Sequence, residues 1–130
     1  MSPRRERRTP GLVRVPFVKR CRLELGSEPS RTAFLVNISV LGAYVAEDQQ
    51  PPLGARGRCL VQFPGSVLET ALPCSVVWVN PRQLHPIHSF PPGYGLRFQD
   101  LDAGARGRIE DVVHNYATRS GGKPDPGQAS

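Results

Sequence analysis

Val18-Lys19-Arg20-Cys21-Arg22-Leu23-Glu24-Leu25 decides how this chain is to be read. Cys21, Leu23 and Leu25 alternate with Arg20, Arg22 and Glu24, and a period of two places the apolar set on one face of a strand and the charged set on the other. Further strand segments are read at Thr32–Ser39, Ala43–Ala46, Arg58–Phe63, Leu68–Val79 and Gly95–Gln99. Turn residues fill the gaps: Gly26-Ser27-Glu28-Pro29, Pro51-Pro52-Leu53-Gly54 and Pro64-Gly65-Ser66. Short strands punctuated by Gly and Pro predict an all-β barrel or sandwich built from hairpins.

Outward from these strands, the chain divides simply. At 130 residues it holds one domain with tails, read as an arginine-rich flexible arm over 1–15, a folded unit over 16–117 and a disordered tail over 118–130. One helix is expected, from about Ala103 to Tyr116, with Asp102 as N-cap and Ala105, Ile109, Val112, Val113 and Tyr116 on one stripe. That stripe must dock on the strands or on a partner. Asn80 to Pro92 is a long connection, of a length usually functional or mobile.

Charge is unevenly placed. The formal net charge is +6, yet Arg4, Arg5, Arg7, Arg8, Arg14, Lys19, Arg20 and Arg22 face Glu6 alone in the first 22 residues, and removing that segment removes the whole excess. No apolar run approaches the roughly 18–20 residues that span a bilayer, and no apolar stretch follows the basic start, so the expectation is a cytoplasmic chain without membrane insertion. Cys21, Cys59 and Cys74 are odd in number and widely spaced, which suits reduced packing residues better than disulfides or zinc ligands. His85-x-x-His88 is the nearest thing to a metal motif, but Pro86 opposes the helix that would align both rings, and no metal is expected. No nucleophile motif or Walker loop is present, and Gly93-x-Gly95 lacks the third glycine of a dinucleotide fold, so the chain reads as non-enzymatic.

The constellation with chemistry in it is Asn37-Ile38-Ser39-Val40-Leu41-Gly42. Asn37 and Ser39 are expected on one solvent-facing side of a strand, alternating with Val36 and Ile38. An Asn amide can pair with a base edge, a Ser hydroxyl can bind base or phosphate, and Gly42 allows close backbone approach to a ligand. An ordinary Asx/Ser turn capping a strand gives the same pattern. Tyr44 and Trp78 are aromatic groups able to stack on a base, although a Trp at a strand end more often belongs to the core.

In order along the chain stand the arginine-rich arm, Arg14-Val15-Pro16, Asn37-Ile38-Ser39-Val40-Leu41-Gly42-Ala43-Tyr44-Val45, Val76-Val77-Trp78-Val79, Gly93-Tyr94-Gly95-Leu96-Arg97-Phe98 and a final helix. This series resembles the PilZ family over roughly Arg4 to Tyr116, in the variety where Asn-x-Ser-x-x-Gly replaces the commoner Asp-x-Ser-x-x-Gly. The resemblance implies a six-stranded antiparallel β-barrel with a C-terminal α-helix. It also implies a bacterial signalling receptor for cyclic di-GMP, with no other cofactor, which controls motility or surface behaviour through a protein partner still to be identified. The ligand set it implies is Arg4, Arg7, Arg8, Arg14, Asn37, Ser39, Gly42 and, by stacking, Trp78.

Family arginines follow R-x-x-x-R. Arg4 and Arg8 have that spacing, but Arg14 has the family's separation from Asn37, and Pro10 stands four residues before it. Two accounts are open: Gly11-Leu12-Val13 is an insertion that leaves Arg7 and Arg8 able to fold back, or the chain is a PilZ-like adaptor that no longer binds nucleotide. Nucleic-acid binding by the arm is the weaker third option, since arginine dominates lysine and no aromatic series lines the strands.

Overall fold

The computed structural model describes residues 12–82 and 91–121. Six antiparallel strands, β1 (Val15–Leu25), β2 (Arg31–Ile38), β3 (Gly42–Ala46), β4 (Arg56–Val61), β5 (Thr70–Asn80) and β6 (Gly93–Phe98), are followed by α1 (Ala103–Gly121). They close into a barrel in the order β1-β2-β3-β6-β5-β4, with β4 pairing back onto β1. This is the architecture expected from the sequence.

Alternation along each strand fills the interior. Val15, Ile38, Ala43, Leu96 and Val76 are successive cross-strand partners around β1, β2, β3, β6 and β5, and none is more than 4 % exposed. Removing the Val, Ile and Leu side chains among them from water contributes about 1.5–3 kcal/mol each. Cys21, Cys59 and Cys74 are free and buried in the same core. A hydrogen bond with Cys21 and burial push the Cys59 thiol well up, and burial pushes Cys74 up to about 12, so both are neutral packing groups at physiological pH.

Tyr94, fully buried on β6, donates to the Glu47 carboxylate at 2.6 Å. Both Glu47 oxygens accept from Arg31 Nε at 3.1 Å, and Arg31 also donates to Glu28 and to the Gln49 carbonyl. Burial alone would lower the Arg31 pKa, but Glu47, with Tyr94 and Glu28 adding to it, more than offsets this and the net shift is upward. A buried hydroxyl is satisfied and three segments are tied together.

The strict period breaks at three places. Pairing shifts between Pro16 and Lys19 on β1, at Val36 on β2 and at Val77 on β5. Each shift is a β-bulge, which inserts a residue into one strand and reverses the facing of the residues beyond it. β1 therefore begins at Val15 rather than Val18, because its first residues resume pairing beyond a bulge that erases the alternation. The expectation that Asn37 and Ser39 share an outer face fails at Ser39: with Val36 as the extra residue, Leu35 and Ile38 both point inward and Asn37 is half-buried outside, but β2 ends at Ile38 and Ser39, in the turn beyond it, is 1 % exposed.

α1 starts where expected. Asp102 Oδ1 accepts from the Ala105 N–H at 2.7 Å, and the Asp102 carbonyl accepts from the Arg106 N–H. Ala105, Ile109 and Val113 enter the barrel core, with Val112 half-covered beside them. The helix continues past Tyr116 to Gly121. Asp102→Ala should lower unfolding free energy by about 1 kcal/mol, the usual cost of a lost N-cap; urea denaturation followed by circular dichroism measures it, and Asp102→Asn should restore most of the loss.

Candidate ligand-binding face

One outward row crosses five strands. Pro16 on β1 pairs with Asn37 on β2, Asn37 with Tyr44 on β3, Tyr44 with Gly95 on β6, and Gly95 with Trp78 on β5. Both polar and aromatic members owe their position to bulges. Had alternation run unbroken through Val36, Asn37 would follow Leu35 inward, and had it run unbroken through Val77, Trp78 would follow Cys74 and Val76 inward. The core placement more usual for a Trp at a strand end is thereby overturned: its side chain is on the surface, 47 % exposed.

Tyr44 is the centre of this row. It faces outward yet is only 2 % exposed, because Trp78 lies against it with ring centroids 5.5 Å apart. Its hydroxyl donates to the Pro91 carbonyl at 2.6 Å and accepts from buried Asn80 Nδ2 at 3.0 Å. Burial raises its pKa, so the hydroxyl stays protonated for that donation. Gly95 makes the seat for Trp78: a Cβ there would stand 3.4 Å from Trp78 Cε3. The indole has one side against Tyr44 and the Gly95 backbone, with nearly half its surface open to solvent.

At the other end, Asn37 Oδ1 accepts twice, from the Tyr44 N–H at 3.1 Å and from Arg14 Nη1 at 2.9 Å. Its Nδ2 donors have no partner among the described residues. Arg14 is exposed and pairs with no carboxylate among those residues. Nearby atoms lower its pKa by desolvation, but a guanidinium remains charged at neutral pH. Arg97, exposed on β6 and paired with Gly42, adds a second cation on this side.

Ser39 and Gly42 have structural duties. Ser39 Oγ accepts from the Leu41 N–H at 3.1 Å and the Ser39 N–H donates to the Gly42 carbonyl at 2.8 Å, closing the β2–β3 turn. A side chain on Gly42 would drive its Cβ into the Leu96 carbonyl oxygen of β6. The glycine is thus required by strand packing before any ligand is considered. Arg4, Arg7 and Arg8 lie outside the described residues, as do His85 and His88. Among the described residues no cluster of His, Cys, Asp or Glu could hold a metal ion, and no helix is long and apolar enough to cross a membrane.

Asn80, Gly95 and Arg97 have no signal in the sequence that marks them for this face. Asn80 reads as the start of a connection, and its partner Tyr44 is 36 positions away. Only the register of β5 against β6 brings Gly95 under Trp78.

A family model described as PilZ domain matches residues 2–115. Among solved structures, the chain is similar to the PilZ domain of CeSA from a cellulose-synthesizing bacterium, at a TM-score of 0.56 and 11 % identity, covering 80 % of this chain and 97 % of that one. It is also similar to the PilZ domain of YcgR from Escherichia coli, solved with c-di-GMP, at a TM-score of 0.60 and 15 % identity, covering 85 % and 95 %. No curated protein matches in sequence.

Asn37→Ala removes the acceptor for the Tyr44 N–H, and thermal unfolding should show a loss of about 1 kcal/mol. Asn37→Asp keeps the acceptor and sets a carboxylate beside the Arg14 guanidinium, so it should stay within about 1 kcal/mol of the parent.

Proposed function

The chain belongs to the PilZ domain family, and from that premise we propose that it is a non-enzymatic cytoplasmic receptor for cyclic di-GMP, of the Asn-x-Ser-x-x-Gly variety. One observation carries the reading: the row from Arg14 and Asn37 to Trp78 offers, on a single outer face, the groups an anionic guanine dinucleotide needs. Arg14 keeps guanidinium donors beyond the one given to Asn37, and a planar guanidinium can grip phosphate in a bidentate way. The Asn37 Nδ2 amide can donate to a single guanine acceptor such as O6 or N7. Trp78 presents an indole on which a base can stack. Ser39 and Gly42 act as positioning residues, since the turn they form sets where Asn37 and Tyr44 sit.

Arg4, Arg7 and Arg8 would close over the ligand from the preceding segment and supply the remaining phosphate contacts. The ordered arm and the ligand would then form a new surface for a protein partner, with motility or surface behaviour as the output. One feature favours the adaptor reading instead: Pro10 holds the position four before Arg14, where the family pattern has arginine, and proline has neither guanidinium nor backbone N–H.

Calorimetric titration with cyclic di-GMP separates the two. Binding should be saturable and weaken with added salt. Arg14→Ala should cost on the order of 1.5–3 kcal/mol through a lost charge-assisted bond, and Trp78→Ala about 1–3 kcal/mol through lost stacking. Absence of binding by the parent protein would leave the adaptor reading standing.

A further inference from the structure

α1 carries more apolar surface than the barrel covers. Ala105, Ile109 and Val113 are buried, but the helix runs two turns beyond Val113, and Tyr116 on the same stripe remains 36 % exposed. Opposite Tyr116 stand Phe17, in the β1 bulge, and Phe63, after β4, with rings stacked at 5.7 Å and 13°. Between helix and rings lies a groove of about 530 Å³, with Val112 in its wall and Pro16 and Pro64 at its edges. A groove of this size and lining takes a bulky apolar side chain.

The rim supplies the selectivity. Arg108 and Arg119 line the groove against a single carboxylate, Asp111. Arg106, on the same helix, is paired with Glu110 at 3.1 Å, whereas Arg108 and Arg119 have no ion pair among the described residues. Arg119 is explained in part by the helix dipole, being in the last turn. Arg108 has no such reason. Two uncompensated guanidinium groups beside an apolar floor favour an occupant with carboxylates flanking its anchor. This chain's own amino-terminal segment is the wrong sign, because Arg4, Arg5, Arg7 and Arg8 would face Arg108 and Arg119.

We propose that the groove between α1, Phe17 and Phe63 docks a short acidic segment of a partner protein, which inserts one aromatic or large aliphatic side chain between Tyr116 and the phenylalanine pair and sets its carboxylates on Arg108 and Arg119. The groove shares only Pro16 with the outer row that ends in Trp78, and the inference does not draw on nucleotide binding. Pro16 belongs to both, as partner of Asn37 and as groove edge.

The probe is a displayed library of random dodecapeptides panned on the full chain, with the enriched peptide synthesised for titration. The expected peptides place Phe, Trp or Leu beside Asp or Glu, and shift the amide and ring NMR signals of Phe17, Phe63, Val112 and Tyr116. The double variant R108E/R119E should weaken binding at least tenfold while remaining folded, its melting point lowered slightly by a carboxylate at the helix C-terminus, and Arg56→Glu, on the exposed side of β4, should not weaken it. No enrichment, binding that maps elsewhere, or indifference to the double reversal would overturn the proposal. So would finding the groove filled by a second copy, seen as concentration-dependent sedimentation lost in Tyr116→Ala, or by residues 1–11, seen as groove shifts when they are deleted.

Discussion

Two single-residue shifts of register, at Val36 and at Val77, are the constraint on which the outer face depends. In a closed six-stranded barrel the interior is filled by side chains, so every position faces either a packed core or solvent. A strand that kept perfect alternation through Leu35 would send Asn37 into that core, and one that kept it through Val76 would send Trp78 there. Each bulge lets the strand bury its apolar residues on both sides of the break while turning one functional side chain outward. The strands that carry the bulges, β2 and β5, flank the β3–β6 pair, so the two displaced side chains meet at Tyr44 from opposite sides.

Tyr44 converts that arrangement into a rigid platform. A tyrosine pointing away from the core would ordinarily be solvated, but here its ring is covered by Trp78 and its hydroxyl is fixed by Asn80 and the Pro91 carbonyl. The backbone N–H of the same residue holds Asn37, which in turn holds Arg14. A chain of contacts therefore runs from a charged group before β1 to an indole on β5 without passing through the interior. Such pre-ordering reduces the entropy that a ligand must overcome when it engages several side chains at once.

The fold is legible in the sequence because burial imposes a period. Cys21, Leu23 and Leu25 mark β1 as a half-buried strand, the Gly and Pro turns separate the hairpins, and Asp102 with the stripe from Ala105 to Val113 locates the helix. What is not legible is where that period is interrupted. Bulges have no residue signature here: Val36 and Val77 are ordinary strand formers, and a one-residue shift shows only against the partner strand. Hence Trp78, whose place at a strand end suggests core, is on the surface; Ser39, set on a solvent face by alternation, closes a buried turn because β2 ends before it. Gly42 is legible as an indispensable glycine but for a different reason, the nearness of the β6 backbone.

Closure of the barrel governs what kind of neighbour this molecule can have. Each of the six strands is hydrogen-bonded on both sides, β1 to β2 and β4, and so on around the ring. An open sheet advertises a row of unpaired amides and carbonyls that any extended chain can zip onto, including another copy of itself. Where its strands are paired on both sides, the ring has nothing of this sort to offer; stretches such as β1 before Arg22, past the end of the short β4, lack a second strand partner among the described residues. Recognition is therefore written chiefly in side chains, on outer rows, because each strand residue serves one side of the wall or the other. The wall is a shared support with two independently editable surfaces, and a lineage could exchange one ligand or partner for another on the outside while the inside stayed as it was.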